Sequence, residues 1–437
     1  MRKMRFKQFL RERNQFSKTG DETLLSVSEY YGVKPRAEAF ASEEHKGRAA
    51  TLEGYRMVKN DDLVMNYMLA WKGAYGVSNH DGIVSPAYSV FKVDQTVVDV
   101  RYLHHRVRSD DMKAYFRSRS KGIIESRLRL YPDSLLASFV EIPDLATQRQ
   151  IANFLDRETA RIDLLIEKKQ RLVALLAEQR ASVIASAVTV GLDKRSELVK
   201  TNSQYLPRIP ASWRVWRLKH LADIRGGLTL GRQIPEDVET TMVPYMRVAN
   251  VQAGWLNLSD VAEIPVTKAE KKRYLLEHGD VLMNEGGDND KLGRGAVWKS
   301  ELDTCVHQNH VFSVRPHDTR YSEWLSLATN ARFARDFFFL HSNQSTNLAS
   351  ISKTNLARFP VAIPPLDEMR ATLEILWSRV GKLDQIGDKT NASIDRLKEY
   401  RAALITAAVT GQIDVETYAK SGTPDRRLDA IQEEMGA

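Results

Sequence analysis

Four groups of residues in the 437-residue sequence have types and spacings that invite chemistry. Each lacks a member the chemistry needs. Asp280 and Glu285 have the look of a nuclease carboxylate pair, but no E-x-K follows at suitable spacing, and ordinary loop carboxylates are far commoner. Cys305, His307 and His310 lie close together, yet a tetrahedral zinc site needs a fourth ligand and no candidate exists. Cys305 is the single cysteine, which excludes an internal disulfide and a Cys-rich zinc site. The run Gly286–Gly295 suggests a phosphate cradle, but it lacks the Lys-Ser/Thr of a Walker motif and a helix N-terminus behind it. Pro364-Pro365 sits between Ile363 and Leu366, so it is not the [DN]-P-P-[YF] clamp with which adenine methyltransferases hold a flipped base. No glycine-rich cofactor fingerprint follows a clear strand. The chain is therefore expected to bind rather than to catalyse.

What it would bind is read from charge. The formal net charge is +8, and residues 1–130 carry 24 Lys+Arg against 16 Asp+Glu, so the excess sits in the first part of the chain. Basic excess on one domain is the electrostatic footprint of a polyanion. Arg117, Arg119, Lys121 and Arg127 are candidates for phosphate or guanine contact. The stretch 66–88 is rich in Gly and small polar residues, with Trp71, Tyr75 and Tyr88 interleaved, and reads as a contact loop offering Lys72, Ser78 and Asn79. In the second half the candidates are Asn284, Lys291, Arg294, Gln308, Asn309, Asn343, Gln344 and Asn347. Asn and Gln can pair bidentately with adenine, and the competing role for each is turn formation or capping. Trp71, Trp255 and Trp298 read as core.

The elements that must position these residues follow a plan of globule, helix, globule, helix. Residues 1–143 read as a mixed α/β domain: Met4–Arg13 has helical spacing, Leu24–Ser28 and Asp62–Met65 read as strands, and Asp110–Arg117 as a short helix before a basic loop. Residues 144–200 carry the first long helix, with Ile151, Leu155, Ile162, Leu165, Leu172, Leu176, Val183 and Ala187 in helical register and no Gly or Pro from Asp144 to Val190. About 45 residues at roughly 1.5 Å each point to a coiled coil or two packed helices. Residues 201–363 are a second globule, with a hairpin over Met246–Leu258 and strands at His278–Gly287 and Gly293–Trp298 joined by a polar loop. Residues 364–415 hold the second helix, where Gly381 and Gly387 predict a kink, and 416–437 read as a flexible polar tail.

The two helical segments are copies. Val140, Ile142, Pro143, Leu145, Arg149, Leu155, Asp163, Lys168, Glu178, Arg180, Ala181, Ile184, Ala187, Val188, Thr189 and Asp193 all recur identically 221 residues later, without a gap. Two such helices can return antiparallel and bury their apolar stripes on each other, which makes a molecule with pseudo-two-fold symmetry and a head at each end of a spacer. The expected fold class is two α/β (α+β) heads alternating with two long helices in an antiparallel coiled-coil spacer. Two unlike heads at a fixed separation suit a split, asymmetric DNA site.

The Ile-Pro-x-Leu-x-x-x-Arg run before each helix, and Arg180–Thr189 and Arg401–Thr410 at their ends, resemble the specificity subunits of type I restriction–modification systems. Leu24–Arg36, Ala70–Ser78, Gly82–Tyr88, the run ending at Trp213, Gly279–Leu282 and His307–His310 resemble target-recognition domains of that family. The resemblance implies a non-catalytic subunit that binds double-stranded DNA and two methyltransferase (modification) subunits, joined by motor/nuclease (restriction) subunits. It implies that S-adenosylmethionine, ATP and Mg belong to those partners and that this chain holds no cofactor or metal. One departure is that Leu206–Trp213 opens the second head and has no counterpart before the first, so the expectation is either a truncated N-terminal head or a true start upstream. No apolar run approaches the roughly 18 residues of a membrane helix, no signal-peptide core follows the basic N-terminus, and a cytoplasmic protein is expected. Two other readings are weighed: a protein-assembly scaffold with incidental DNA affinity, and a stand-alone DNA-modifying enzyme, against which the absent motifs count.

Overall fold

The computed structural model describes residues 1–39, 51–124, 127–193, 195–287, 291–344 and 349–433. The chain divides into two compact units, Met1–Leu172 with Asp388–Ala437, and Val173–Gly387. The division does not separate heads from helices; each unit combines one head with part of each long helix.

In the first unit, strand Arg2–Arg5 pairs antiparallel with Phe139–Ile142, Met4 opposite Val140. A single 3-10 turn, Phe6–Gln8, leads into strand Leu10–Glu12. This corrects the helix expected over Met4–Arg13. Met4, Phe6, Phe9 and Leu10 all reach the core, and sheet pairing with distant segments outweighs the weak local preference for a helix. A four-stranded sheet runs in the order Leu10–Glu12, Ser89–Val93, Leu63–Met65, Tyr75–Val77. Helix Val100–Arg108 begins at Asp99, whose side chain accepts from the amides of Arg101 and Tyr102, and Asp110–Arg119 follows. Their apolar faces join a core that includes Phe6, Phe91, Tyr102 and Phe116. The same core takes in Leu155 and Ile162 from the first long helix and Leu397, Leu404 and Ala408 from the second. The tail expected from residue 416 is helical instead, over Val415–Lys420 and Thr423–Glu433. Val415 and Leu428 are buried, Tyr418 meets Phe154 edge-on, and Arg161 reaches Asp425 at 2.7 Å.

The second unit repeats that scheme. Strand Arg214–Arg217 pairs with Pro360–Ile363, Trp216 opposite Val361, and a 3-10 turn, Leu218–His220, leads into Ala222–Arg225. The four-stranded sheet is ordered Ala222–Arg225, Val311–Pro316, Val281–Asn284, Gly295–Val297. Helices Ser322–Asn330 and Arg332–His341 stand where the first head has its own pair. A three-stranded sheet adds Thr240–Met246, antiparallel to Glu263–Thr267 and parallel to Val306–His307. The hairpin expected over Met246–Leu258 is reduced to one bridge, Val251 with Leu256, because Thr240–Met246 takes Glu263–Thr267 as its partner.

The first long helix spans Leu145–Thr189 and the second Leu366–Val409. Asp144 starts the first by accepting from the amides of Ala146 and Thr147 at 3.1 and 3.0 Å. The second runs without interruption through Gly381 and Gly387, contrary to the expected kink. Open space surrounds the missing Cβ of both glycines, so each costs only the propensity difference of about 1 kcal/mol. Met369, Leu376 and Val380 join Ala187 and Val188 in the second unit's core. The apolar stripes are not wholly covered, however: Leu172 and Ile386 are exposed. An 18-residue window of the first long helix has a mean hydropathy of 1.3, long and apolar enough by composition to cross a membrane. The sequence expectation missed this window because Glu178 and Arg180 interrupt its apolar runs.

Candidate nucleic-acid interface

The first head builds a surface of rings and cations on the hairpin that leaves strand Leu63–Met65. Asp62, buried ahead of the strand, accepts from Arg13 Nε and Nη2 at 2.6 and 3.0 Å and from the Lys59 amide at 2.8 Å. Asn66, buried behind it, closes the hairpin. Its amide donates to Ala74 O at 3.0 Å, and its Oδ1 accepts from the Met68 amide at 3.2 Å. Between Asn66 and Ala74 a 3-10 turn, Ala70–Lys72, ends at Gly73 with φ +102°, a conformation that suits glycine. Lys72 Nζ lies 5.1 Å from the centroid of the Trp71 ring and Arg117 Cζ 5.7 Å from it, a contact worth about 0.5–1 kcal/mol at an exposed site. Arg129 lies 5.6 Å over Tyr67, which stacks on Tyr131 at 5.8 Å.

Arg108 holds this hairpin from behind. Its Nη1 donates to Tyr75 O at 2.7 Å and Gly73 O at 3.3 Å, and its Nη2 to Glu29 O and Tyr30 O at 2.9 and 3.0 Å. Burial depresses its pKa below the usual arginine value. Beside it the half-buried His104 ring accepts from the Val77 amide at 3.3 Å. Burial first, then Arg108, push His104 down to about 3, so it is neutral.

Of the candidates in this head, Lys72 and Arg117 meet on one ring, and Arg119, Lys121 and Arg127 are exposed on the segment that follows. Ser78 is a correction. It is fully buried and its hydroxyl donates to His80 O at 2.8 Å, which ties it into a turn. Asn79 is exposed in that turn.

The second head carries the same device. Asp280-Val-Leu-Met-Asn284 echoes Asp62-Leu-Val-Met-Asn66. Asp280 accepts from Arg315 Nε and Nη2 at 2.7 and 2.8 Å, from Ser313 Oγ at 3.0 Å and from the Glu277 amide at 3.0 Å. Asn284 donates its amide to Arg294 O at 3.1 Å, as Asn66 does to Ala74. Asn284 is thereby corrected as a base reader: its side chain is buried and its Nδ2 donates to Val251 O at 3.1 Å. Lys291 and Arg294 are half-buried, with Arg294 Nη1 3.4 Å from Gln252 Oε1. Gln308 and Asn309 are half-buried, and their backbone amides donate to Met246 O and Leu228 O. Asn343 is exposed on strand Asn343–Gln344, which pairs with Ala349–Ser350; Gly286–Gly287 pairs with that strand too. Gly286–Gly287 thus form a sheet edge, and residues 288–290 of the glycine run lie outside the described residues. Asn347 lies outside the described residues.

The zinc candidates point to separate partners. The buried Cys305 thiol, pushed up to about 12 by burial, lies 3.4 Å from Val306 O. His307 Nδ1 faces Val311 O at 2.6 Å, and burial pushes its pKa down to about 4. His310 is exposed near Glu285 at 3.5 Å. Trp298 is core as expected, but Trp255 is 58% exposed and Trp71 is half-buried under two cations. Tyr67, Arg129 and Tyr131 join the site without being among the expected contact residues, and the echo of Asp62–Asn66 in Asp280–Asn284 is a five-residue signal visible once the two heads are aligned.

Residues 210–396 match the family described as Type I restriction modification DNA specificity domain. Over 376 residues the chain is 23% identical to the StySPI type I restriction enzyme specificity subunit of Salmonella potsdam, covering 83% of this chain and 77% of that one. Over 378 residues it is 19% identical to the EcoKI specificity subunit of Escherichia coli (strain K12), with the same coverage. A solved chain described under "Structural basis underlying complex assembly and conformational transition of the type I R-M system" superposes with a TM-score of 0.65. It covers 93% of this chain and 97% of its own at 14% identity, which shows a shared fold of mixed α/β heads and long helices. The family match takes in most of the second head and the first part of the second long helix. Over most of its length the chain is similar to the specificity subunits of type I restriction–modification systems.

Proposed function

We propose that each head reads one half of a bipartite, asymmetric DNA site, and that the two long helices act as an antiparallel spacer setting the gap. The observation that carries this reading is the shared Asp-x-x-Met-Asn strand. The two heads have one sheet order and one way of closing the hairpin after the strand, while the hairpins themselves differ in sequence. A constant frame with variable loops is what two different half-sites require. In this reading the helices and heads dock two methyltransferase subunits, to which the motor/nuclease subunits add. The partners carry S-adenosylmethionine, ATP and Mg, and flip the target adenine, while this chain supplies sequence choice and no catalysis, in the cytoplasm. The basic and aromatic face around Lys72, Arg117, Arg119, Lys121 and Arg127 contacts the duplex from the first head. Lys291, Arg294, Gln308, Asn309, Asn343, Gln344 and Asn347 are the corresponding set in the second.

The test is genome-wide adenine methylation in cells with and without this gene beside its neighbours. Loss of one split asymmetric motif on deletion is the expected result. An unchanged methylome in a strain whose neighbouring methyltransferase is active overturns the reading.

A further inference from the structure

The segment after helix Asp110–Arg119 carries two isoleucines that the fold does not cover. Ile123 is 103% exposed and Ile124 55%, whereas Ile83 and Ile142 of the same head are buried. The segment is shaped. Lys121 and Arg129 exchange two backbone hydrogen bonds of 2.9 Å, and the Arg127 amide donates to Ile124 O at 2.9 Å. Gly122 has φ +156°, and a Cβ there would lie 2.8 Å from Arg127 O, so the turn that puts Ile123 outward needs glycine. Its base is fixed to the head: Leu130 is buried, its amide donates to Tyr67 O at 3.0 Å, and Arg129 covers the Tyr67 ring.

The surroundings say what such a tip fits. Residues 117–129 hold five Lys+Arg (Arg117, Arg119, Lys121, Arg127, Arg129) against the single acid Glu125. Tyr67 and Arg117 connect this base to the Trp71–Lys72 turn, so tip and turn belong to one surface. Cations around an apolar point match a ligand with anions outside and apolar faces inside, which is the arrangement of phosphates and stacked bases in a DNA duplex. Side chains such as Ile enter a base step from the minor groove, part the bases and kink the helix, at a cost of a few kcal/mol per step. That cost depends on the step, so a wedge selects sequence without a base hydrogen bond.

We propose that Ile123 and Ile124 form an apolar wedge that enters a base step of the bound duplex, anchored by Arg119, Lys121 and Arg127 on the flanking phosphates. The proposal rests on the DNA-reading function given above and adds a deformation step to it. The wedge reads flexibility at positions that no polar side chain of this head touches.

The experiment uses the full chain assembled with its co-expressed methyltransferase partners and a duplex bearing the methylated motif. End-to-end energy transfer reports the bend, and 2-aminopurine placed step by step reports unstacking. The wild type is expected to bend the duplex and to brighten 2-aminopurine at one step in the half-site of the first head. Ile123→Ser/Ile124→Ser is expected to lose both signals and to bind roughly tenfold more weakly, within the range for removing a buried Ile side chain, with an unchanged salt slope. Ile123→Leu/Ile124→Leu is expected to restore them. A serine variant that keeps the bend, the bright step and the affinity overturns the wedge and leaves DNA reading intact. Loss of the partner subunits from the serine variant on gel filtration, with DNA signals kept, assigns the tip to a protein contact and overturns it too. A wild-type complex that binds no DNA defeats the function reading itself.

Discussion

Arg401 forks onto Asp163, with Nε to Oδ1 at 2.8 Å and Nη2 to Oδ2 at 3.1 Å. The duplication maps Asp163 onto Asp384 and Arg180 onto Arg401, and Arg180 Nε donates to Asp384 Oδ1 at 3.0 Å in the other unit. Each long helix thus gives its Asp to one pair and its Arg to the other. Reuse of the same two positions within each unit follows the internal repeat, and it supports the antiparallel spacer proposed above.

These pairs are half exposed, so each contributes little, about 0.5–1 kcal/mol. Asp163→Ala and Arg401→Ala are each expected to lower stability by that amount or less. Asp163→Arg costs more through like-charge repulsion, and Asp163→Arg with Arg401→Asp recovers most of it. A double-mutant cycle on chemical unfolding of the first unit measures the coupling. Zero coupling would remove the pair as a determinant of helix register.

The buried pairs behave differently. Asp280 is enclosed and receives Arg315 and Ser313, and Asp62 receives Arg13. Asp280→Ala removes a buried carboxylate but leaves Arg315 its ion pair with Glu277 and its bond to Leu275 O, so the cost is that of the donors left unsatisfied, about 1–3 kcal/mol. The variant is expected to melt well below the wild type or to precipitate, and Asp62→Ala to follow it. An Asp280→Ala protein with unchanged Tm would return Asp280 to the pool of functional carboxylates.

What the sequence made legible followed from local, periodic or repeated signals. The long helices were readable from Leu155, Ile162, Leu397 and Leu404 at helical spacing, and the strands at Leu25–Ser28 and Leu63–Met65 from β-branched runs between turn residues. Arg2–Arg5 was not, because a strand whose partner lies at Phe139–Ile142 owes its form to pairing rather than to its own residues. The glycine positions misled for a related reason: propensity marks Gly381 as a weak point, while the surrounding helix is continuous. At the candidate site, residue type picked out Lys72 and Arg117 but could not separate exposed Asn343 from buried Asn284. Both are asparagines on strands, and only the sheet order decides which one faces out.

Acid is expected to weaken the second head through His307. Its ordinary pKa is 6.5 and burial pushes it down to about 4, so the folded state binds fewer protons than the unfolded chain. For a depressed pKa the stability is fully present above pH 6.5 and is lost as pH falls from 6.5 toward 4. Between pH 7 and pH 5 the loss from this group is about 2 kcal/mol. His307→Asn, whose amide nitrogen can take the place of Nδ1, is expected to be less stable at pH 7 but to lose less on acidification. Hydrogen exchange of strand Val311–Pro316 at the two pH values measures both. Parallel pH dependence in wild type and variant would acquit His307.

The cations of the first head should reveal themselves in salt. Each phosphate contact releases about 0.9 counterion from a duplex, so log K falls linearly with log salt and the slope counts contacts. Lys72→Ala, Arg119→Ala and Arg127→Ala are each expected to shallow the slope by about one unit and to weaken binding similarly across sequences, which is the signature of phosphate contact. Asn343→Ala is expected to leave the slope alone and to relax discrimination at one base pair, by about 1–3 kcal/mol. Ser78→Ala is expected to do neither, because its hydroxyl is spent on His80 O inside a turn. Titrations of the assembled complex from 50 to 200 mM salt on cognate and scrambled duplexes separate these outcomes. A slope unmoved by all three cation variants would place the DNA on another face of the head.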